Sequence, residues 1–263
     1  MNTGRLTKKE RHELILSEVR KSAAIRISKL AKHIGVAGET IRRDLIELGE
    51  AGLVNRTYGG ATIALVTSEP VISERGLTLV EERARIGKGA AGLIENRQVV
   101  MIDGGSTTYE VARNLAQLRR DLVVITNSTG VASVAGGNPT FRVILCPGTY
   151  DNREGSVFGE DTVEFISRYN ADAAIIGASG VTSDGPSDAI PGAAAVKRAM
   201  IGRSLSTILV VTHDKFDRAS LERVCRLAEI SDIVTDREVS SEFRATAEVA
   251  GPELHVFEEG EQA

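Results

Sequence analysis

The chain has 263 residues, 42% of them apolar and only 4% aromatic, with a formal net charge of −4. That length suits one small domain plus one of ordinary size. The scarcity of aromatic rings argues against a stacking surface for single-stranded nucleic acid, and no apolar run reaches the roughly 18–20 residues of a membrane span, so no membrane partner is expected. The N-terminus, MNTGRLTKKERHE, is charged and lacks an apolar leader core, which fits a cytoplasmic protein. Charge is divided unevenly. Residues 1–61 hold 12 Lys and Arg against 7 Asp and Glu, and the remainder holds 20 against 29. A basic head on an acidic body suits a head that sits on a polyanion.

In chain order, residues 8–21 read as an amphipathic helix with Leu14, Ile15 and Val19 on its inner side. Ala24 to Ile27 is short and β-like. Ser28 is placed to cap a second helix that turns Leu30, Ala31 and Ile34 inward and stops at Gly35. A third helix over 37–49 carries Ile41, Leu45 and Leu48 at i, i+4 and i+7. Leu53 to Tyr58 is extended, and Gly59-Gly60 turns it back into a small hairpin. Two helices joined by a short turn and followed by a hairpin form a winged helix-turn-helix, whose second helix enters a major groove of double-stranded DNA. The candidate DNA-contacting residues are Ser28, Lys29, Glu39, Thr40, Arg42 and Arg43 on the helices, and Arg56 and Tyr58 on the wing. The two helix arginines can bind phosphates or read guanine edges. An arginine pair on a helix is ordinarily a solvated face; the helix–turn–helix–hairpin order is what argues otherwise here.

Residues 62–80 lack periodicity and read as a linker, which gives domains over 1–61 and 81–263. From Glu81 onward, apolar runs (Val99–Ile102, Leu122–Ile125, Val143–Leu145, Ala173–Ile176, Ile208–Val211, Ile233–Val234) alternate with helical stretches. Nearly continuous apolar runs fit strands buried on both faces, and the alternation implies an α/β domain with a mostly parallel sheet. Ligands of such sheets bind at the carboxyl ends of strands. Three loops there are rich in Gly and hydroxyl groups: Asp103-Gly104-Gly105-Ser106-Thr107-Thr108, Thr126-Asn127-Ser128 and Pro147-Gly148-Thr149. Open backbone N–H groups at a helix start, with hydroxyls beside them, make an anion cradle. Lys197 and Lys215 can supply positive charge to a phosphate. His213 is a candidate ligand contact or a solvated loop histidine. Cys146 and Cys225 lack metal-ligand spacing and read as core residues of a reducing compartment.

The segments ISKLAKHIGV, TIRRDL, Gly52-Leu53 and RTYGGA resemble the N-terminal signature of DeoR-family bacterial repressors. RIGKGAAGLI, IDGGSTT, VITNS, FGEDTVEFI, DAAIIGASGV, AVKRAMI and DKF are similar to the same family's sensor domain. FRVIL, FISRYNAD and GVTSDG further resemble its glycerol-3-phosphate regulon repressor subgroup. The resemblance implies a sensor similar in fold to ribose-5-phosphate isomerase and the coenzyme A transferase group. It also implies a phosphorylated sugar or polyol as effector, and repression of a catabolic operon that the effector relieves. Carried over by position, Asp103, Gly105, Ser106, Thr107 and Thr108 would line the first loop, Asn127 and Ser128 the second, and Gly148 the third, with Lys197 and Lys215 nearby. The chain departs from the family pattern at Ala37-Gly38, where a Ser is usual, at Cys146-Pro147, at Thr212, and over Ile190 to Ala194, where an acidic residue is expected and none is found. Two half-sites are needed for useful operator specificity, so a homodimer or homotetramer is expected. The alternative is a sugar-phosphate isomerase-like enzyme with an appended DNA-binding head, with Asp103 and Lys197 as proton-transfer groups; the lack of a second carboxylate in PGAAA counts against it. A regulator without an effector is a further class. No catalytic residue, cofactor or metal is nominated.

Overall fold

The computed structural model describes residues 6–20, 25–50, 54–57, 59–63, 65–66 and 69–259. The chain divides into two compact units, Met1–Leu65 and Val66–Ala263. The boundary therefore falls near the start of the stretch expected to be a linker. Its first part carries the end of the wing, and from Val66 the chain belongs to the second unit.

In the first unit, α1 spans Lys8–Arg20. It opens on a reciprocal cap: the Glu10 amide donates to the Thr7 hydroxyl, and the Thr7 amide donates back to the Glu10 carboxylate, which satisfies two amides that a helix start would otherwise leave open. Ile15 and Val19 are buried, but Leu14, expected on the inner side, is 38% exposed. Strand β1 (Ile25–Arg26) runs straight into α2 (Ile27–Ile34), and α3 follows over Gly38–Glu50. Ser28 does not cap α2: the helix starts one residue before it, at Ile27, with Arg26 at the N-cap position and no side-chain cap bond, and the Ile27 amide donates to the Gly59 carbonyl of the wing turn. Gly35 ends α2 at φ 75°, a conformation that costs a residue with a Cβ about 1 kcal/mol or more. The wing pairs β2 (Val54–Thr57) with β3 (Gly60–Ile63), and β3 also pairs with β1. At Gly60 a Cβ would lie 2.1 Å from the Ile25 carbonyl oxygen, so only glycine lets the wing close onto β1. Ile15, Leu30, Ile41, Leu45 and Leu48 fill the core, each worth about 1.5–3 kcal/mol of burial.

The second unit is an α/β domain built on a seven-stranded sheet. After the short helix α4 (Ile72–Arg75) and α5 (Val80–Gly92), the chain lays down β4 (Val99–Ile102), α6 (Ser106–Leu118), β5 (Val123–Thr126), α7 (Thr129–Ala135) and β6 (Arg142–Leu145). A hairpin of β7 (Thr149–Asp151) and β8 (Ser156–Phe158) leads to α8 (Glu160–Ser167) and β9 (Ala171–Ile176). Then come β10 (Gly180–Thr182), β11 (Gly185–Asp188), α9 (Pro191–Ile201), β12 (Ser204–Val210), β13 (Glu222–Arg223), β14 (Asp232–Thr235), α10 (Ser241–Ala250) and β15 (Glu253–Val256). The sheet order is β15-β14-β12-β9-β4-β5-β6, with every neighbouring pair parallel. Side chains alternate between two cores. Val100, Ile102, Val124, Ile175 and Val210 pack with α5, α6 and α7, while Met101, Ile125, Ala174, Leu209 and Ile233 pack with α8, α9 and α10. All six expected strands are present, Val99–Ile102 with the expected ends and the other five with at least one end displaced, by up to four residues. The seventh, β15, reads ELHV, a half-exposed edge segment without the continuous apolar run of a central strand. Cys146 and Cys225 are buried and free, and burial pushes both thiols up to about 12.

Candidate functional site

On the first unit, α3 buries Ile41, Leu45 and Leu48 and leaves Glu39, Arg42 and Arg43 exposed, with Thr40 half-buried. Ser28 and Lys29 are exposed on α2. Arg42 donates to Glu39 one turn earlier at 2.6 Å. The back of α3 is held by Asp44, whose two oxygens accept from Arg11 Nε at 2.5 Å and Nη2 at 2.8 Å, with His12 Nε2 at 3.2 Å. Burial pushes the Asp44 carboxyl up, but Arg11 and His12 outweigh it and hold it below the ordinary aspartate range. Arg56 pairs with Ala61 in the wing through its backbone. Tyr58 lies outside the described residues. Glu39, Thr40 and Arg43 line a groove with Lys8 and Arg11 of α1, and Arg42, Ser28 and Lys29 are exposed outside it.

In the second unit, strand order reverses between β4 and β9. Strands added after β4 run one way across the sheet, and those added from β9 run the other. Such a switch point opens a crevice at the carboxyl ends of the strands. A cavity of about 60 Å³ lies there, lined by Asp103, Gly105, Ser106, Thr107, Thr108, Asn127, Lys197 and Lys215 among others. Eight of the ten residues nominated as effector contacts therefore come together. Ser128 lies instead on an adjoining cavity of about 330 Å³ that shares Gly105, Ser106, Arg83 and Glu154 with the first. Gly148 lines neither: it has φ 146°, and a Cβ there would meet the Thr162 hydroxyl at 2.2 Å and the Phe158 carbonyl at 2.8 Å, so its glycine serves packing.

The three loops differ in chemistry, contrary to the sequence expectation that they are alike. Helix α6 starts at Ser106 with no side-chain cap, which leaves its first-turn amides open to an anion. Helix α7 is closed by its own Ser128, whose hydroxyl accepts from the Val131 amide at 3.3 Å. The third loop leads into a hairpin rather than a helix. One cradle remains of three.

Lys197 is buried and held between two carboxylates, Asp188 at 2.7 Å and Asp103 at 3.0 Å. The Gly177 amide at the end of β9 also donates to Asp103 at 3.2 Å. Burial drives the Asp103 carboxyl up to about 6, against the pull of Lys197. Burial acts on Asp188 too, but Lys197 prevails and holds it below the ordinary range. Asp188 is the carboxylate that the sequence reading did not find before AVKRAMI. It sits at the end of β11, all four residues of which are buried, so the pocket has its second acid after all. The strand signal was the short Gly185–Asp188 stretch returning against Gly180–Thr182. Thr212, in place of the family's Asp, donates to Asp214 at 2.5 Å. His213 does not line the cavity; its ring and amide are both held by the buried Asp236 at 2.7 Å.

Sequence reasoning also missed the far wall of the cavity, which consists of Glu69, Arg75, Arg83 and Glu154. Among the described residues, five buried side-chain polar atoms lack a hydrogen-bond partner, and four line this cavity: Arg75 Nε, Arg83 Nε, Asp103 Oδ1 and Asn127 Oδ1. An unmet buried polar group costs about 1–3 kcal/mol. Two donors and two acceptors are thus left unmet in residues that line the cavity.

Two family models match the chain. The DeoR-like helix-turn-helix domain covers residues 11–66, and the DeoR C-terminal sensor domain covers residues 78–237. The glycerol-3-phosphate regulon repressor of Escherichia coli (strain K12) is 34% identical over 228 residues, 86% of this chain and 90% of that protein. The HTH-type transcriptional repressor GlcR of Bacillus subtilis (strain 168) is 31% identical over 253 residues, 96% of this chain and 97% of its own. Among solved structures, ribose 5-phosphate isomerase A of Methanocaldococcus jannaschii is similar at 14% identity over 53% of this chain and 55% of that one, with a TM-score of 0.39.

Proposed function

The chain belongs to the DeoR family of DNA-binding transcriptional regulators, and from that premise we propose that its cavity is the seat of a phosphorylated sugar or polyol that relieves repression of a catabolic operon. One observation carries the reading: the uncapped start of α6 and four partnerless buried polar atoms converge on a single cavity at the switch point of the sheet. A phosphate suits the open amides. The hydroxyls of a polyol can donate to Asp103 Oδ1 and Asn127 Oδ1 and accept from the two arginine Nε groups. The adjoining cavity of about 330 Å³ gives room for the carbon skeleton. Ser106, Thr107 and Thr108 contact the phosphate, and Asp103 and Asn127 contact the hydroxyls.

Binding without turnover is the reading that the relatives named as repressors support. The site's ammonium, Lys197, is clamped between two carboxylates that raise its pKa, so it is not a free base for proton abstraction. On the first unit, Arg42, Arg43 and Lys29 contact phosphates or base edges in the major groove, with Ser28, Thr40 and Glu39 beside them and the wing residues Arg56 and Tyr58 on the flanking duplex. The working form is a homodimer or homotetramer that spans two half-sites. Effector and operator then act on each other through the states that each ligand favours.

A thermal-shift titration of the full chain against phosphorylated sugars and polyols, glycerol 3-phosphate included, tests the seat. A ligand at 100 times its Kd adds about 2.7 kcal/mol. Ser106→Asp places a carboxylate at the α6 start and abolishes the shift. A panel that gives no shift, or a shift that survives in that variant, rejects the cavity as the effector site.

A further inference from the structure

We propose that Glu69 is a tethered stand-in for the effector's phosphate: it occupies Lys215 and Arg75, and a bound phosphate monoester displaces it. The inference rests on the cavity being the effector seat and adds how occupancy is transmitted.

The argument begins with where each cation of the cavity is engaged. Lys197 is shared by Asp103 and Asp188. Lys215 is ion-paired to Glu69 Oε1, and Arg75 to Glu69 Oε2 through Nη1 and to Glu154 through Nη2. The Glu69 carboxylate is 8% exposed and uses both oxygens on these two cations, as two oxygens of a phosphate would. Burial lowers the Arg75 pKa, but Glu69 and Glu154 together raise it above its ordinary value. Arg83 is different. Among the described residues no carboxylate lies within ion-pair distance of it; its Nη1 donates to the Arg75 carbonyl at 2.7 Å and to the Thr78 carbonyl. The lysine named for phosphate binding is therefore engaged by an internal anion, and an incoming dianion must compete with Glu69 to reach it. The exchange is electrostatically feasible, because a dianion outweighs a single carboxylate at the same two cations, and Arg75 keeps Glu154 throughout.

Glu69 also lies at a telling place in the chain. The second unit begins at Val66, so Glu69 is one of its first fastenings after the DNA-reading unit. The next one is the Ile72 amide, which donates to the Arg153 carbonyl at 2.8 Å. After it come Arg75 on Glu154 and Arg83 on the carbonyls of the following turn. Displacing Glu69 frees the chain between Ile72 and the short strand Leu65–Val66, which pairs with Ala219–Ser220, while the later fastenings hold. Occupancy of the cavity thereby becomes a change in the segment that follows this strand, and the two arrangements are distinguished by which anion holds Lys215.

The test uses the full chain with inorganic phosphate and glycerol 3-phosphate as probes, titrated calorimetrically at fixed ionic strength. Glu69→Gln frees both cations and tightens phosphate binding at least tenfold. Lys215→Gln in that background removes the gain. Glu69→Asp keeps the charge, guards against loss of folding, and gives an intermediate affinity. Hydrogen exchange over residues 69–72 rises when wild type binds phosphate, and is already raised in Glu69→Gln without ligand. Affinity in Glu69→Gln no tighter than in wild type, whether or not wild type binds measurably, overturns the proposal, as does exchange that ligand leaves unchanged. If Ser106→Asp still abolishes binding in that case, the effector seat stands and only the role of Glu69 falls. If Ser106→Asp binds normally, the seat itself falls.

Discussion

Each unit of this protein buries an aspartate against a cation, and the two are finished differently. Asp44, behind the recognition helix, has both oxygens bonded to Arg11 and a third partner in His12. Asp103, at the mouth of the sheet, spends Oδ2 on Lys197 and Gly177 and leaves Oδ1 with none. The first carboxyl is held below its ordinary range and the second is pushed up to about 6. A fully bonded buried network fixes one arrangement, whereas an incomplete one holds an unmet polar group at a cost. The DNA-reading unit uses its acid as a brace, and the sensor leaves its acid half-bonded.

Replacing the brace has the largest expected effect. Asp44→Ala strands Arg11 and destabilises the first unit by about 3 kcal/mol, the low end of what breaking a buried pair costs. Urea denaturation followed by hydrogen exchange on α3 measures it, and a loss within a few tenths of a kcal/mol breaks the comparison.

Next in size is the reading face that the brace supports. Arg43→Ala weakens operator-independent DNA binding and lowers the slope of log affinity against log salt by about 1. Arg42→Ala does less, because Glu39 already engages Arg42. Equal slopes in wild type and Arg43→Ala remove Arg43 from the phosphate contacts.

The smallest effect sharpens the contrast through pH. A carboxyl raised on folding binds protons more readily in the folded state, so its contribution to stability declines as pH rises from its unfolded value of about 3.9 to about 6 and is level above. The stability of wild type relative to Asp103→Asn therefore falls across that window. Wild type relative to Asp44→Ala moves the other way, gaining as pH rises through the low carboxylate range. Thermal melts of the three proteins from about pH 2.5 to 7.5, a range that reaches below the unfolded carboxylate value, separate the trends, and parallel profiles refute the distinction between brace and half-bond.

Local pattern made much of this legible. Ile41, Leu45 and Leu48 at helical spacing gave the recognition helix its buried side, apolar runs marked six strands, and DGGSTT after VVMI marked the cradle. What escaped depends on pairings distant in sequence. Ser28 reads as a cap, but the helix starts one residue earlier at Ile27, whose amide is held by the Gly59 carbonyl of the distant wing turn. Asp188 becomes a pocket acid only through the register of β10 and β11. Glu69 and Arg75 fell in a stretch without periodicity, and their partners Lys215 and Glu154 are 146 and 79 residues away. Gly148 matched a ligand loop by position and proved to be a packing glycine, because only the fold brings Thr162 and Phe158 against it.

The sheet order also has a consequence for synthesis. The first unit is built from about the first 65 residues, all contiguous. In the second, β4 cannot acquire both neighbours until β9 emerges, and β9 must wait for β12, which ends at Val210. At 5–20 residues per second, a nascent chain carries a complete DNA-reading unit for roughly 7–30 s before the body that governs it can close. Each nascent chain thus carries a finished helix-turn-helix unit while its sensor sheet is still incomplete.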